Sequence, residues 1–179
     1  MSSTASFEST PAKSSMPEWY PEPLASVAHQ IDKGRFRAVT AANQELVRSY
    51  WSIGRELLAR ESEEGWGSKV VTRLSADLRD QFPESRGYSP RNLRYMKSFA
   101  AAWPDSAMLQ TASATLPWSH HVLLLEKLAT PNERLWYMAA AVEEGWSHSV
   151  LSHQIETRLH ERSGYAINNF KSTLPPSTS

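Results

Sequence analysis

Ser89-Pro90-Arg91-Asn92-Leu93-Arg94-Tyr95-Met96-Lys97-Ser98-Phe99-Ala100-Ala101-Ala102-Trp103-Pro104 holds a start signal, a periodic face and a stop signal. Ser89 suits an N-cap, because its hydroxyl can accept from a first-turn N–H. Pro90 suits the first helical position, where its missing N–H has no partner to lose. Leu93, Met96, Phe99 or Ala100, and Trp103 recur every three or four residues, which is one face of an α-helix, and Pro104 halts it. The opposite side of that helix offers Arg91, Asn92, Arg94, Tyr95 and Ser98.

The same period extends in both directions. Upstream, Ser68 opens a helix that buries Val70 or Val71, Leu74, Leu78 and Phe82 before Pro83 ends it. Before that, the stretch from Leu24 to Arg60 places Val39, Ala42, Leu46, Tyr50, Ile53 and Leu57 at helical steps, which predicts one long helix bent near Gly34. The run from Glu61 to Gly67 reads as its exposed exit loop. Downstream, Trp118-Ser119-His120-His121-Val122-Leu123 is echoed by Trp146-Ser147-His148-Ser149-Val150-Leu151. Both read as helix starts with Ser as N-cap and a Trp–Leu hydrophobic staple. Thr130-Pro131-Asn132-Glu133 is a capping box whose helix runs to about Glu144, before Gly145.

About six helices and no convincing strand result. The fold class is all-α, with one long N-terminal helix, a helix-turn-helix-like hairpin and a C-terminal helical subdomain. Residues 1–20 read as a disordered Ser/Thr-rich tail, 21–162 as the helical domain and 163–179 as a flexible linker or tail, because the two ends hold too little apolar surface to offset ordering.

Composition narrows the function classes. The 19 basic and 19 acidic residues of the 179-residue chain cancel, which excludes a general polycation. Without cysteine there is no disulfide framework, thiolate zinc site or cysteine nucleophile. No run reaches the ~18 apolar residues of a membrane span, and no signal-peptide pattern opens the chain, so no membrane role and a cytoplasmic location are expected.

The neutral total conceals polarity. From Trp66 to Trp103, Lys69, Arg73, Arg79, Arg86, Arg91, Arg94 and Lys97 outweigh Asp77, Asp80 and Glu84, a local net charge of +4. Two helices with basic residues gathered on the second have the organisation of a helix-turn-helix reader of duplex DNA. Arginine can neutralise phosphate or pair with guanine, and asparagine can pair with adenine. The candidate contacts are Arg86, Ser89, Arg91, Asn92, Arg94, Tyr95 and Lys97. A solvated basic face on an ordinary hairpin is the competing reading, since the Pro83 to Tyr88 connection exceeds the usual three or four residues. A second hypothesis is an interaction module, in which the long helix, with Tyr50, Trp51 and Arg55, mediates a homodimer or docks a partner.

Catalytic patterns are missing. His153, Glu156 and His160 share a helical face, but closed zinc sites usually recruit more than one element, so no metal and no cofactor are expected. Gly65-Trp66-Gly67-Ser68-Lys69 lacks Walker spacing, and neither Gly-x-Ser-x-Gly nor His-Glu-x-x-His occurs.

Several stretches together resemble a known family: Tyr50-Trp51-Ser52-Ile53-Gly54-Arg55, Tyr88 to Met96, Leu116-Pro117-Trp118-Ser119-His120, and Glu144-Gly145-Trp146-Ser147 with Leu151 to Arg162. In order and spacing, from about Leu24 to Arg162, they are similar to the N-terminal domain of YhcG-like proteins. The resemblance implies a bacterial helical module that usually precedes a PD-(D/E)XK nuclease domain and is regarded as its DNA-binding part. The implied partners are duplex DNA and such a nuclease subunit or domain. The chain stops at Ser179, about where the nuclease would begin, so a non-enzymatic module is expected. The resemblance assigns no base-contacting residue.

Overall fold

A computed structural model describes residues 16–64 and 68–163. The expected tails, apart from residues 16–20 and 163, and the Gly65-Trp66-Gly67 stretch lie outside the described residues. The described residues are helical with no strand, as the periodicity predicts: α1 Pro21–Glu64, α2 Ser68–Gln81, α3 Pro90–Ala102, α4 Trp118–Lys127, α5 Pro131–Glu143 and α6 His148–Glu156. Two 3-10 turns, Ser106–Gln110 and Ala112–Thr115, join α3 to α4.

Several helix ends are set locally. Ser89 Oγ accepts from the Asn92 N–H at 3.2 Å, and Ser147 Oγ accepts from the Val150 N–H at 3.3 Å. Thr130 and Glu133 form the reciprocal capping box. The α5 helix ends in a Schellman turn: Gly145 takes φ 63, and the Trp146 N–H donates to the Ala141 carbonyl at 3.0 Å. The echo at Trp118 behaves differently from its twin. The α4 helix begins at Trp118 itself, behind Pro117 and without a side-chain cap, so Ser119 lies inside the first turn. Packing sets this start: the Trp118 ring stands edge-on to Tyr50 at 4.9 Å and to Phe99 at 5.3 Å.

The chain divides into two compact units, residues 1–38 and 39–179. The described part of the first unit holds a turn, closed by the Tyr20 N–H on the Pro17 carbonyl, and the opening stretch of α1, which continues helically through Gly34. Its Leu24, Val27 and Ile31 are 54, 54 and 48 % exposed.

The second unit has three apolar clusters. The first joins Tyr50 and Leu57 of α1 to Leu93 and Met96 of α3, with Val71, Leu74 and Leu78 of α2 against them. Val47, Phe99, Met108 and Leu109 form the second. The third gathers Leu123, Leu124 and Leu128 of α4, Tyr137, Met138 and Ala141 of α5, and Leu151 and Ile155 of α6.

The buried face of α1 departs from the periodic expectation. Val39 and Leu46 are 60 and 40 % exposed, and Val47 is fully buried in their place. The reason is Gly54, where an added Cβ would overlap the Met96 carbonyl of α3. That backbone approach selects the face carrying residues 47, 50, 54 and 57. Phe82 lies beyond the end of α2 and is 46 % exposed. Ser75 is buried instead, its hydroxyl donating to the Tyr88 carbonyl at 2.7 Å. Glu61 belongs to the helix rather than to an exit loop, and it pairs with Lys97 at 2.9 Å.

Candidate nucleic-acid interface

The α2–α3 hairpin sorts its polar residues into those used by the fold and those left to solvent. Asn92 is used by the fold. Its Nδ2 donates to the Gly87 carbonyl, and its Oδ1 accepts from Trp118 Nε1 at 2.7 Å. Asn92 also supports Tyr50: burial and then Tyr88 raise the Tyr50 pKa, while the Asn92 hydrogen bond partly offsets them. Both the Asn92 amide nitrogen and its oxygen are thus engaged within the fold. Ser89 caps α3. Lys97 donates to both Glu61 oxygens at 2.9 Å and is only partly exposed.

Arg91, Tyr95 and Glu126 form a surface triad across α3 and α4. Arg91 Nη2 donates to Glu126 Oε1 at 2.9 Å and to the Tyr95 hydroxyl at 2.9 Å. The Tyr95 hydroxyl donates to the same carboxylate oxygen. The Tyr95 hydrogen bond, followed by Arg91, holds the Glu126 carboxyl below its usual range. The Tyr95 and then the Glu126 hydrogen bonds raise the Arg91 pKa. This triad rims an open cleft of about 350 Å³ whose lining includes Asn92, Trp118, Val122 and His148.

Arg79, Arg86 and Arg94 are exposed, and none has an ion-pair partner among the described residues. Arg79, part of the basic segment but not among the candidate contacts, lines with Arg86, Ser85 and Ser89 a second cleft of about 220 Å³. Its position on α2, three residues before Phe82, was the available signal.

The interaction candidates are distributed differently. Tyr50 is 7 % exposed and sits in the core. Trp51 donates from Nε1 to the Trp103 carbonyl at 2.7 Å. Arg55 is exposed, with its guanidinium 5.8 Å from the Trp51 ring centre. In the C-terminal part, Glu156 pairs with Lys127 at 3.6 Å, and His160 packs on Trp136 at 5.1 Å. Among the described residues no group of three His, Cys, Asp or Glu is placed to hold a metal ion, and no helix is long and apolar enough to cross a membrane.

This all-helical arrangement belongs to a defined class: residues 26–162 match the DUF1016 N-terminal domain, and the chain is a member of that family. One relative is the Escherichia coli (strain K12) protein named "Putative nuclease YhcG", which is 28 % identical over 76 % of this chain. The chain spans 44 % of that relative's length, so the likeness concerns part of it only. The matched family region is an N-terminal domain. No solved structure matches the chain.

Proposed function

We propose that this domain is a non-enzymatic targeting module that holds nucleic acid by its phosphates through the exposed arginines of the α2–α3 hairpin. The carrying observation is that Arg79, Arg86 and Arg94 are solvent-exposed without carboxylate partners among the described residues. Guanidinium groups in that state can displace the counterions condensed on nucleic-acid phosphates. Asn92 is occupied by Gly87 and Trp118, so duplex binding should depend on backbone contacts and be indifferent to sequence. The relative's name makes a nuclease the effector such a module would deliver.

Fluorescence anisotropy with a labelled duplex at several salt concentrations tests the reading. Binding should weaken with salt, and combined Arg79→Ala, Arg86→Ala and Arg94→Ala should flatten the log–log slope by about 0.9 per arginine that contacts phosphate. No binding at low salt, or an unchanged slope in the triple variant, would overturn it.

A second reading, a docking or dimerisation role, is favoured by the exposed Leu24, Val27 and Ile31 stripe of the first unit. Light scattering tests the homodimer form: a dimer that becomes monomeric on Leu24→Glu with Ile31→Glu supports it, and a monomeric wild type counts against it.

A further inference from the structure

The α3–α4 cleft combines a fixed acceptor with an aromatic and aliphatic lining. Glu126 Oε1 is saturated by Arg91 and Tyr95, which anchors the carboxylate from one side. Its other oxygen, Oε2, has no hydrogen-bond partner among the described residues, and the side chain is 38 % exposed. Beside it, Trp118 and Val122 line a cleft of about 350 Å³, within the general size range of small-ligand sites. The indole N–H of Trp118 is already satisfied by Asn92, so the ring is held in place before any ligand arrives.

We propose that this cleft receives one unstacked nucleobase bearing an exocyclic amino group, with Glu126 Oε2 accepting from that amino group. The inference rests on the phosphate-holding reading above and adds a ligand subsite to it. Several features support a base as the occupant. Trp118 brings an aromatic ring and Val122 an aliphatic side chain to the lining, and stacking of a base on an aromatic ring tolerates any base. A carboxylate acceptor then favours some bases: cytosine, adenine and guanine present an amino group with two N–H donors, whereas thymine offers a single imide N–H flanked by two carbonyl oxygens that an anion repels. Exposed Arg94 lies three residues along α3 from Arg91, and a guanidinium there would take the phosphate next to a bound base. The lock on Glu126 matters because an acceptor fixed before binding loses less freedom on complex formation.

The test uses the full chain and single-stranded oligo-dC and oligo-dT of equal length, two pyrimidine strands that differ in the amino group. Oligo-dC should bind about five- to tenfold more tightly than oligo-dT, as expected for one good base contact. Glu126→Gln should reduce that ratio towards one. Tyr95→Phe, which removes one of the two donors holding the carboxylate, should reduce it partway. Equal affinities for the two strands in the wild type, or a ratio unchanged in Glu126→Gln, would overturn the proposal. Salt-dependent binding without base discrimination would reject this subsite and leave the phosphate reading standing. Failure to bind either strand at low salt would reject the subsite, and failure to bind duplex as well would remove both. A cleft that instead takes a basic peptide would show oligo-lysine competing in the wild type, no dC preference, and loss of that competition in Glu126→Gln.

Discussion

Replacing His121 by leucine should abolish a specific acid sensitivity of the fold. His121 is 1 % exposed on α4, its ring is edge-on to Phe99 at 5.0 Å, and neither ring nitrogen has a well-formed hydrogen bond among the described residues. Burial, and secondarily the neighbouring His120 ring, pushes its pKa from 6.5 down to about 4, with the Ser113 backbone acting weakly in the opposite sense. The folded protein therefore keeps His121 neutral at pH values where the unfolded chain would protonate it. Its contribution to stability is complete above pH 6.5, declines as pH falls from 6.5 and has gone by about pH 4. That interval corresponds to about 3–4 kcal/mol at ~1.4 kcal/mol per pH unit.

Leucine has a similar volume and does not titrate. Its substitution forfeits the ring contact, worth roughly 0.5–1.5 kcal/mol. It also removes buried ring nitrogens that lack a well-formed hydrogen bond, a feature that costs roughly 1–3 kcal/mol. Stability at neutral pH should therefore be equal or higher. Urea unfolding at steps between about pH 7.5 and about pH 4.5 measures the difference: the wild type should lose ~1.4 kcal/mol more than His121→Leu for each pH unit inside the window. Stability curves that fall in parallel would refute the reasoning. So would a His121 ring proton that titrates near 6.5 in the folded protein by NMR.

Three further outcomes follow from the packing. Gly54→Ala forces a methyl into the Met96 carbonyl, so α1 and α3 must separate, at a cost of about 1–3 kcal/mol read as a lowered urea midpoint. Asn92→Ala leaves the Gly87 carbonyl and Trp118 Nε1 unpaired and should destabilise the fold by about 2–3 kcal/mol; duplex affinity per folded molecule should not change, whereas lost affinity without lost stability would support the base-reading role. Arg158 holds φ 52, a left-handed conformation that costs a residue bearing a Cβ about 1 kcal/mol, so Arg158→Gly should raise the thermal midpoint slightly.

The helices were legible where the signals are local. Ser89-Pro90, Thr130-Pro131-Asn132-Glu133 and Ser147 act through hydrogen bonds spanning three residues, and each starts a helix where expected. The Leu93, Met96 and Phe99 stripe is buried because a strong period with no competing apolar face leaves one choice. α1 is apolar on more than one side, and its sequence could not show that Gly54 would meet Met96 and turn Val47, rather than Leu46, inward. The candidate site was legible only as a list of basic residues. Lys97 finds Glu61 and Arg91 finds Glu126 from 36 and 35 residues away, and no short-range pattern encodes those meetings.

Taken alone, the sequence determines the all-α class, the helix boundaries that caps and prolines enforce, and a basic hairpin within a neutral chain, because each depends on neighbours within a turn or on simple charge counting. Tertiary structure alone decides which of those charges remain available. It consumes Asn92 in holding Trp118, sets Glu126 beside Arg91 and Tyr95, and leaves Arg79, Arg86 and Arg94 in water. The physical reason is that a polar group's freedom is fixed by what other helices bring within about 3 Å of it, and those helices are distant in the chain.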